Sequence, residues 1–397
     1  MINATNATEV GNGIVFLDLE ADTVFTLTYK NDVGGVIDFY DPVDTKDGLA
    51  LGALKLKISR QGTVYFGASI SDTVLNLSST GTILTNNTAV NGVNSIGLGV
   101  NNINDADTSS VLGGYENVID SLSRLSSIVS GDYNSLKGSD ASSILSGKFN
   151  TISSGSDISS VSGGGNNRIS AEGAFIGGGG GIFPIDSNST TGNYSAILGG
   201  RRNYVTGTFG VVAGGYRNEA DSSSFAAGEL AKATHTNAFV WSDGSASTSS
   251  SGTHTFTTKA TGGYNLYSDA NGTAGVSLSS GSGTWASISD STLKRNIREV
   301  NYYEVLDKLS ELKISQWSYL AQDADIEHIG PMAQDFYRLF GLGDDNKHIS
   351  TLDPDGVALA AIKALHEKNN ELSDQNEKLE REIQEVKTLL QELIDSK

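Results

Sequence analysis

Ser289 and Lys294 stand five residues apart in the stretch "SISDSTLKRN", Ser287 to Asn296. A serine hydroxyl is a weak nucleophile until a base removes its proton. A lysine becomes that base when burial disfavours its ammonium form. Ser–Lys pairs are a recognised alternative to Ser–His, so the spacing permits nucleophilic chemistry. It also permits something plainer. Ser and Asp are favoured helix caps, and Ser289-Asp290 could simply cap a helix starting near Ser291.

Other chemical candidates are weaker. The five histidines, at 235, 254, 328, 348 and 366, have no metal-ligand spacing. There is no cysteine, hence no disulfide framework and no thiolate metal site. The run "GGGGG" at 177–181 lacks the Lys-Ser/Thr of a phosphate loop. A glycosidase needs two facing carboxylates, and the acidic residues of 95–240 are few and sit at expected turns. No metal and no cofactor are expected.

The pair sits on a seam between two kinds of chain. Residues 289–397 hold 35 charged side chains, and residues 1–288 hold the other 38. Net charge is −19, which disfavours nucleic acid and anionic membranes as partners. No apolar run reaches the length of a membrane span, so no membrane insertion is expected. "MINATNATEVGNG" does not read as a signal peptide.

Upstream of the seam the patterns are β. In 1–90, "TVFTLTY" and "ALKLKIS" alternate with period two, as half-buried strands do. Between 95 and 240 a unit recurs: "SIGLGVNN", "SVLGGYEN", "SIVSGDYN", "SILSGKFN", "SVSGGGNN", "AILGGRRN" and "VVAGGYRN". Its terminal Asn steps by 15, 17, 16, 17, 36 and 15 residues. The long step holds a degenerate unit with an insertion, "FIGGGGGIFPID". A period of about 16 suits one coil of a β-solenoid. Each coil should turn one apolar residue of its short strand inward, with about two apolar residues buried per coil. Gly and Asn should supply the left-handed backbone of the turns. Residues 241–288 read as a thin β neck.

Downstream the pattern is helical. Ile362, Leu365, Asn369, Leu372, Asn376, Leu379, Ile383, Val386, Leu390 and Leu393 alternate steps of three and four. That is a coiled-coil seam in which two Asn cost stability and fix register. "DPDG" at 353–356 should turn the chain into this helix.

The 95–240 units resemble the head repeats of trimeric autotransporter adhesins and related fibres, which implies three chains of parallel β-roll packed together. A monomeric β-helix is the alternative. Residues 289–397 are similar to the intramolecular chaperone domain that ends endosialidase tailspikes and many tail fibres. The blocks "SDSTLKRNI", "VLDKLSELKISQWSY", "HIGPMAQDFYRLFGLG" and "HISTLDPDGVALAAIKAL" carry that resemblance by their order and spacing. It implies trimerisation, assisted folding of the upstream fibre, and self-cleavage at Ile288–Ser289 with Ser289 as nucleophile and Lys294 as base. His328 could line the cleavage site, although a core or hydrogen-bonding role is the stronger expectation.

The expected fold is mainly β: an elongated homotrimeric fibre of solenoid repeats, then a small α+β chaperone domain ending in a coiled-coil helix. The expected parts are 1–90 for attachment, 91–240 for the solenoid, 241–288 for the neck, 289–360 for the chaperone and 361–397 for the coiled coil. The expected function is a receptor-binding fibre on a phage or phage-like contractile injection particle, assembled in the cytoplasm. Its partners would be a baseplate or particle protein and a cell-surface glycan or protein receptor. A bacterial surface adhesin of the same build is the alternative, and a glycan-degrading tailspike a third.

Overall fold

The computed structural model describes residues 88–396, and before residue 88 the backbone of eight strands between Ala7 and Leu84. The half-buried faces expected of "TVFTLTY" and "ALKLKIS" lie outside the described residues. The chain forms two compact units, Met1–Ser287 and Ile288–Lys397.

The first unit opens as an antiparallel meander. Val24–Lys30 pairs with Gly13–Leu17 and with Val36–Val43, which pairs in turn with Ala50–Ile58. Ile83 then pairs in parallel with Ile96, and the chain begins to coil. From there two parallel ladders climb side by side. One runs through eleven strands from Ile96–Gly97 to Phe256–Lys259. The other starts at Ala89–Val90 and passes through Lys232–Ala233 to Thr248 and Ser249. The unit is a β-solenoid, as the period implied.

Each coil is thin. Its core is one buried residue from each ladder: Val111 and Ile119, Ile128 and Leu136, Ile144 and Ile152, Val161 and Ile169. Two aliphatic side chains per coil match the expectation. They leave the turns to polar groups, and here the structure corrects one reading. The terminal Asn of each unit does not carry the left-handed backbone. The residue before it does: Glu116, Tyr133 and Phe149 have φ of 52°, 56° and 60°. The Asn points inward instead. Asn102, Asn117, Asn134, Asn150, Asn167, Asn188, Asn203 and Asn218 are all fully buried. Each side-chain oxygen accepts from the next coil. The Asn134 backbone N–H donates to Asn117 Oδ1 at 3.0 Å, and that of Asn150 to Asn134 Oδ1 at 3.0 Å. Each amide nitrogen donates to a glycine carbonyl one coil on, as Asn134 does to Gly147 at 2.8 Å. A carboxamide can donate and accept at once, so the ladder satisfies turn groups that a thin coil hides from water.

Asn188 is the rung hidden in the 36-residue step. It donates to Asn167 Oδ1 at 3.1 Å and accepts from the Asn203 N–H at 3.1 Å. The insertion before it forms a short 3-10 turn, Pro184–Asp186. A second polar ladder of buried serines runs opposite, with the Ser142 N–H on Ser126 Oγ at 3.0 Å and the Ser159 N–H on Ser142 Oγ at 3.1 Å. Glycine is obligatory at the left-handed corner preceding the Asn: a Cβ on Gly131, at φ 104°, would stand 2.1 Å from the Gly147 oxygen.

The parallel ladder passes the boundary expected at residue 240. Phe225, Phe239 and Phe256 keep stacking in register, with centroids 4.8 and 4.5 Å apart. Beyond it lies a three-stranded antiparallel sheet, Gly263–Tyr267, Gly275–Ser279 and Ala286–Ser287.

The second unit contains α1 (Tyr302–Glu311), a hairpin of Ile314–Trp317 with His328–Pro331, α2 (Ala333–Phe340) and α3 (Leu352–Asp395). Its small core is Leu312, Phe336 and Val357, with Val305 and Leu309 of α1 against it. The sequence "DPDG" lies inside the first turn of α3 rather than ahead of it, because proline is tolerated there. No helix among the described residues is long and apolar enough to cross a membrane.

Candidate functional site

The segment from Ile288 to Val300 holds little regular structure. Its one element is a single 3-10 turn, Ser291–Leu293. Asp290 caps it: the carboxylate accepts from the Thr292 N–H at 2.8 Å. That hydrogen bond holds the Asp290 carboxyl below the usual carboxylate range. At the other end the Lys294 N–H closes the turn on the Ser291 carbonyl at 3.2 Å.

The turn folds the chain back on itself, so that the Lys294 ammonium nitrogen lies 2.6 Å from Ser289 Oγ. Five residues apart in sequence, the two side chains are in direct hydrogen-bond contact. The cap expected as an alternative is also present, but Asp290 provides it, not Ser289. The contact and the cap therefore coexist, and the cap builds the turn that makes the contact.

Ser289 and Lys294 are solvent-exposed in the single chain. Exposed apolar side chains surround them in sequence: Ile288, Leu293, Ile297 and Val300. His328 belongs to a different cluster. Its Nε2 lies 2.9 Å from Gln322 Oε1, and its ring packs on Trp317 and Tyr319 at 4.9 and 5.5 Å.

α3 carries the heptad series along its length. Ile362, Leu365, Leu372, Leu379, Ile383, Val386, Leu390 and Leu393 are each at least 50% exposed. Asn369 and Asn376 are exposed with them. The buried positions of α3 lie near its N-terminal end, at Val357, Ala361 and Ala364, and α1 reaches along it as far as Glu371, which accepts from the Tyr303 hydroxyl at 3.4 Å.

The solenoid has a short apolar stripe that reading by repeat missed. Leu112, Val129 and Leu145, on three successive coils, each follow an inward residue and stay 38–48% exposed, and after Ser162 and Gly177 interrupt the column Leu198 resumes it. The signal was present as the aliphatic residue after Val111, Ile128, Ile144 and Ile197. Among the described residues no group of His, Asp or Glu is placed to hold a metal ion.

Residues 289–341 match the family described as chaperone of endosialidase. The match opens on Ser289 and covers α1, the hairpin and α2. No curated protein is significantly similar to the chain. A β-solenoid followed by an endosialidase-type chaperone segment fits a chain of the tail-fibre and tailspike kind, in which that segment serves fibre folding.

Proposed function

We propose that this chain is the subunit of a homotrimeric attachment fibre, and that the unit from Ile288 onward is its built-in folding nucleus. The observation that carries the reading is the uncovered seam of α3. An aliphatic stripe of about four and a half heptads is stable in water only when other helices cover it. The solenoid stripe at Leu112, Val129, Leu145 and Leu198 has the same need. A thin coil with two core residues gains most from neighbours that cover such a face. Three aligned copies would cover both stripes at once. The family match to an endosialidase chaperone supports three rather than two.

The fibre would sit on a phage or phage-like contractile injection particle, with the N-terminal meander docked on a baseplate or particle protein. The solenoid would present the surface that meets a target cell.

In this reading Ser289 and Lys294 release the nucleus once it has done its work. Lys294 Nζ takes the proton from Ser289 Oγ, which attacks the Ile288 carbonyl carbon. The Ile288–Ser289 C–N bond breaks, and the freed amine takes the proton. Water then opens the ester left on the Ser289 oxygen. The neutral amine this requires is favoured by desolvation. Neighbouring copies packed over Ile288, Leu293 and Ile297 would supply it.

Light scattering on freshly folded protein at micromolar concentration tests the assembly, and three chain masses are expected. A monomer overturns the reading. Attachment is tested separately, by binding of the labelled fibre to a panel of bacterial cells.

A further inference from the structure

Between Ala174 and Asn218 the chain carries four charged side chains, Asp186, Arg201, Arg202 and Arg217. In a chain of net charge −19 this stretch of solenoid is cationic. One corner column runs Asp132, Lys148, Gly165, Gly180, Arg201, Tyr216 and Glu229, rung by rung. Its bare rungs at Gly165 and Gly180 leave one side of Arg201 without a covering side chain. On the other side three guanidiniums converge on one ring. The Cζ atoms of Arg201, Arg202 and Arg217 lie 5.0, 5.7 and 6.0 Å from the Tyr216 centroid. An aromatic face attracts a guanidinium and orients its plane, while its N–H edge stays able to donate.

Asp186 is the one carboxylate among them, and Arg202 takes it. Arg202 Nε donates to Asp186 Oδ1 at 3.1 Å, and its Nη1 to the Tyr216 hydroxyl at 3.1 Å. Arg201 Nη1 stays 3.8 Å from the same oxygen, beyond hydrogen-bond reach, with 53% of its side chain in solvent. Arg217 is exposed, and among the described residues no carboxylate pairs with it. The next acid along the column is Glu229, and it turns away. Its carboxyl carbon stands 2.8 Å from where a Cβ on Gly244 would be, one rung further on. Three positive charges against one leave a surplus of two, carried by Arg201 and Arg217.

A neighbouring copy would not neutralise that surplus. Chains aligned in register meet at equal heights, where each offers the same three arginines and an Asp186 already held. The counter-charge therefore comes from outside the fibre. Beside the cluster lies the insertion, whose Ile182, Phe183 and Ile185 are exposed. The Asp186 N–H donates to the Phe183 carbonyl at 2.9 Å, so the residue that Arg202 grips also fixes this loop next to the arginines.

A phosphate monoester carries close to two negative charges at neutral pH and three acceptor oxygens. That matches a surplus of two on guanidiniums, whose forked donors suit phosphate. A carboxylate would neutralise only half of it. The negative face of an aromatic ring attracts the C–H groups of a sugar, and Phe183 offers such a face. We infer that Arg201 and Arg217 bind the phosphate of a phosphorylated saccharide on the target surface, with the sugar ring against Phe183. The inference rests on the attachment reading and names the ligand class it would use.

The test is isothermal titration of the full-length chain with glucose 6-phosphate, beside glucose, glucuronate and inorganic phosphate. The sugar phosphate is expected to bind tightest. Arg201→Gln with Arg217→Gln should weaken it by about tenfold or more. Arg201→Lys should weaken it severalfold, because an ammonium cannot fork, and Phe183→Ser should do the same. No binding of glucose 6-phosphate, equal binding of glucuronate, or unchanged affinity in the double variant overturns the inference. Inorganic phosphate binding as tightly as the sugar phosphate overturns the saccharide assignment. So does tighter binding to phosphatidate vesicles, which present the same group on a lipid. A fall in assembly mass on light scattering in the double variant would make the cluster an interface between copies and overturn it too. Cell binding separates the two readings. A fibre that binds cells equally well with the double substitution loses this site and keeps the attachment role. A fibre that binds no cells loses the attachment role, while the titration still decides the site.

Discussion

At Ser289 the proposed scission depends on one contact of 2.6 Å to Lys294. The contact exists because a capped turn reverses the chain between them, so the residues that build the turn and those that would react have separable effects. Ser289→Ala and Lys294→Ala should each abolish scission at Ile288–Ser289 while trimers still form. Lys294→Arg should abolish it too, because a guanidinium keeps its proton and cannot act as base. Asp290→Ala removes the cap but neither reacting group, so scission should slow without stopping. Intact mass of the purified protein over a day reads all four. If the unsubstituted protein holds its full mass throughout, Ser289 and Lys294 are a structural pair, and the C-terminal unit is a chaperone that stays attached.

The solenoid coil is the element whose energetics are most distinctive. Its core contributes two aliphatic residues, and its turns bring many backbone groups out of reach of water. The Asn ladder answers that cost. Asn134 alone engages the Asn117 side-chain oxygen, the Gly147 carbonyl and the Asn150 N–H. Asn134→Ala would leave the buried Asn150 N–H unpaired, while the Gly147 carbonyl would keep the Asp132 N–H. Each buried orphan costs about 1–3 kcal/mol, so a clear fall in the thermal midpoint of the assembled protein is expected. Asn134→Asp should be at least as harmful, since a carboxylate cannot donate to Gly147. Ser146→Ala, on the exposed face of the next coil, should change stability by less than about 0.5 kcal/mol. Equal midpoints for Asn134→Ala and Ser146→Ala would mean the ladder is not what stabilises the turns.

For the whole molecule the two units pose opposite folding problems. Strand pairs in the solenoid join residues a full coil apart, and such non-local pairing is slow and prone to misassembly. Helix α3 is local and can meet its copies early. Deleting residues 289–397 before folding should therefore give insoluble or monomeric chains. Removing the same residues by protease after assembly should leave the trimer intact, because the released fibre would need its nucleus only to refold. Solubility and sedimentation of the two preparations check this. Soluble trimers from the truncated gene product would show that the fibre needs no nucleus.

The sequence by itself determined the class of the fold. Periodicity is local information: the 16-residue spacing of Asn and Gly specifies a coil, and alternating steps of three and four specify the α3 seam. Even the hidden rung was legible, as a step of 36 that Asn188 divides. What the Asn residues do was not legible. Their backbone conformation and their inward direction depend on the coil above, and only stacking shows that the left-handed position belongs to the residue before. The Ser289–Lys294 pair was visible as a spacing. That the two atoms touch depended on a turn set by Asp290 and Thr292. The bare glycine corner was the least visible of all. "GGGGG" reads as a turn in one dimension. It becomes a corner without side chains between Lys148 and Arg201 only when residues 32 and 21 positions from Gly180 lie along the same column, because a solenoid brings together along its axis what the chain keeps a coil apart.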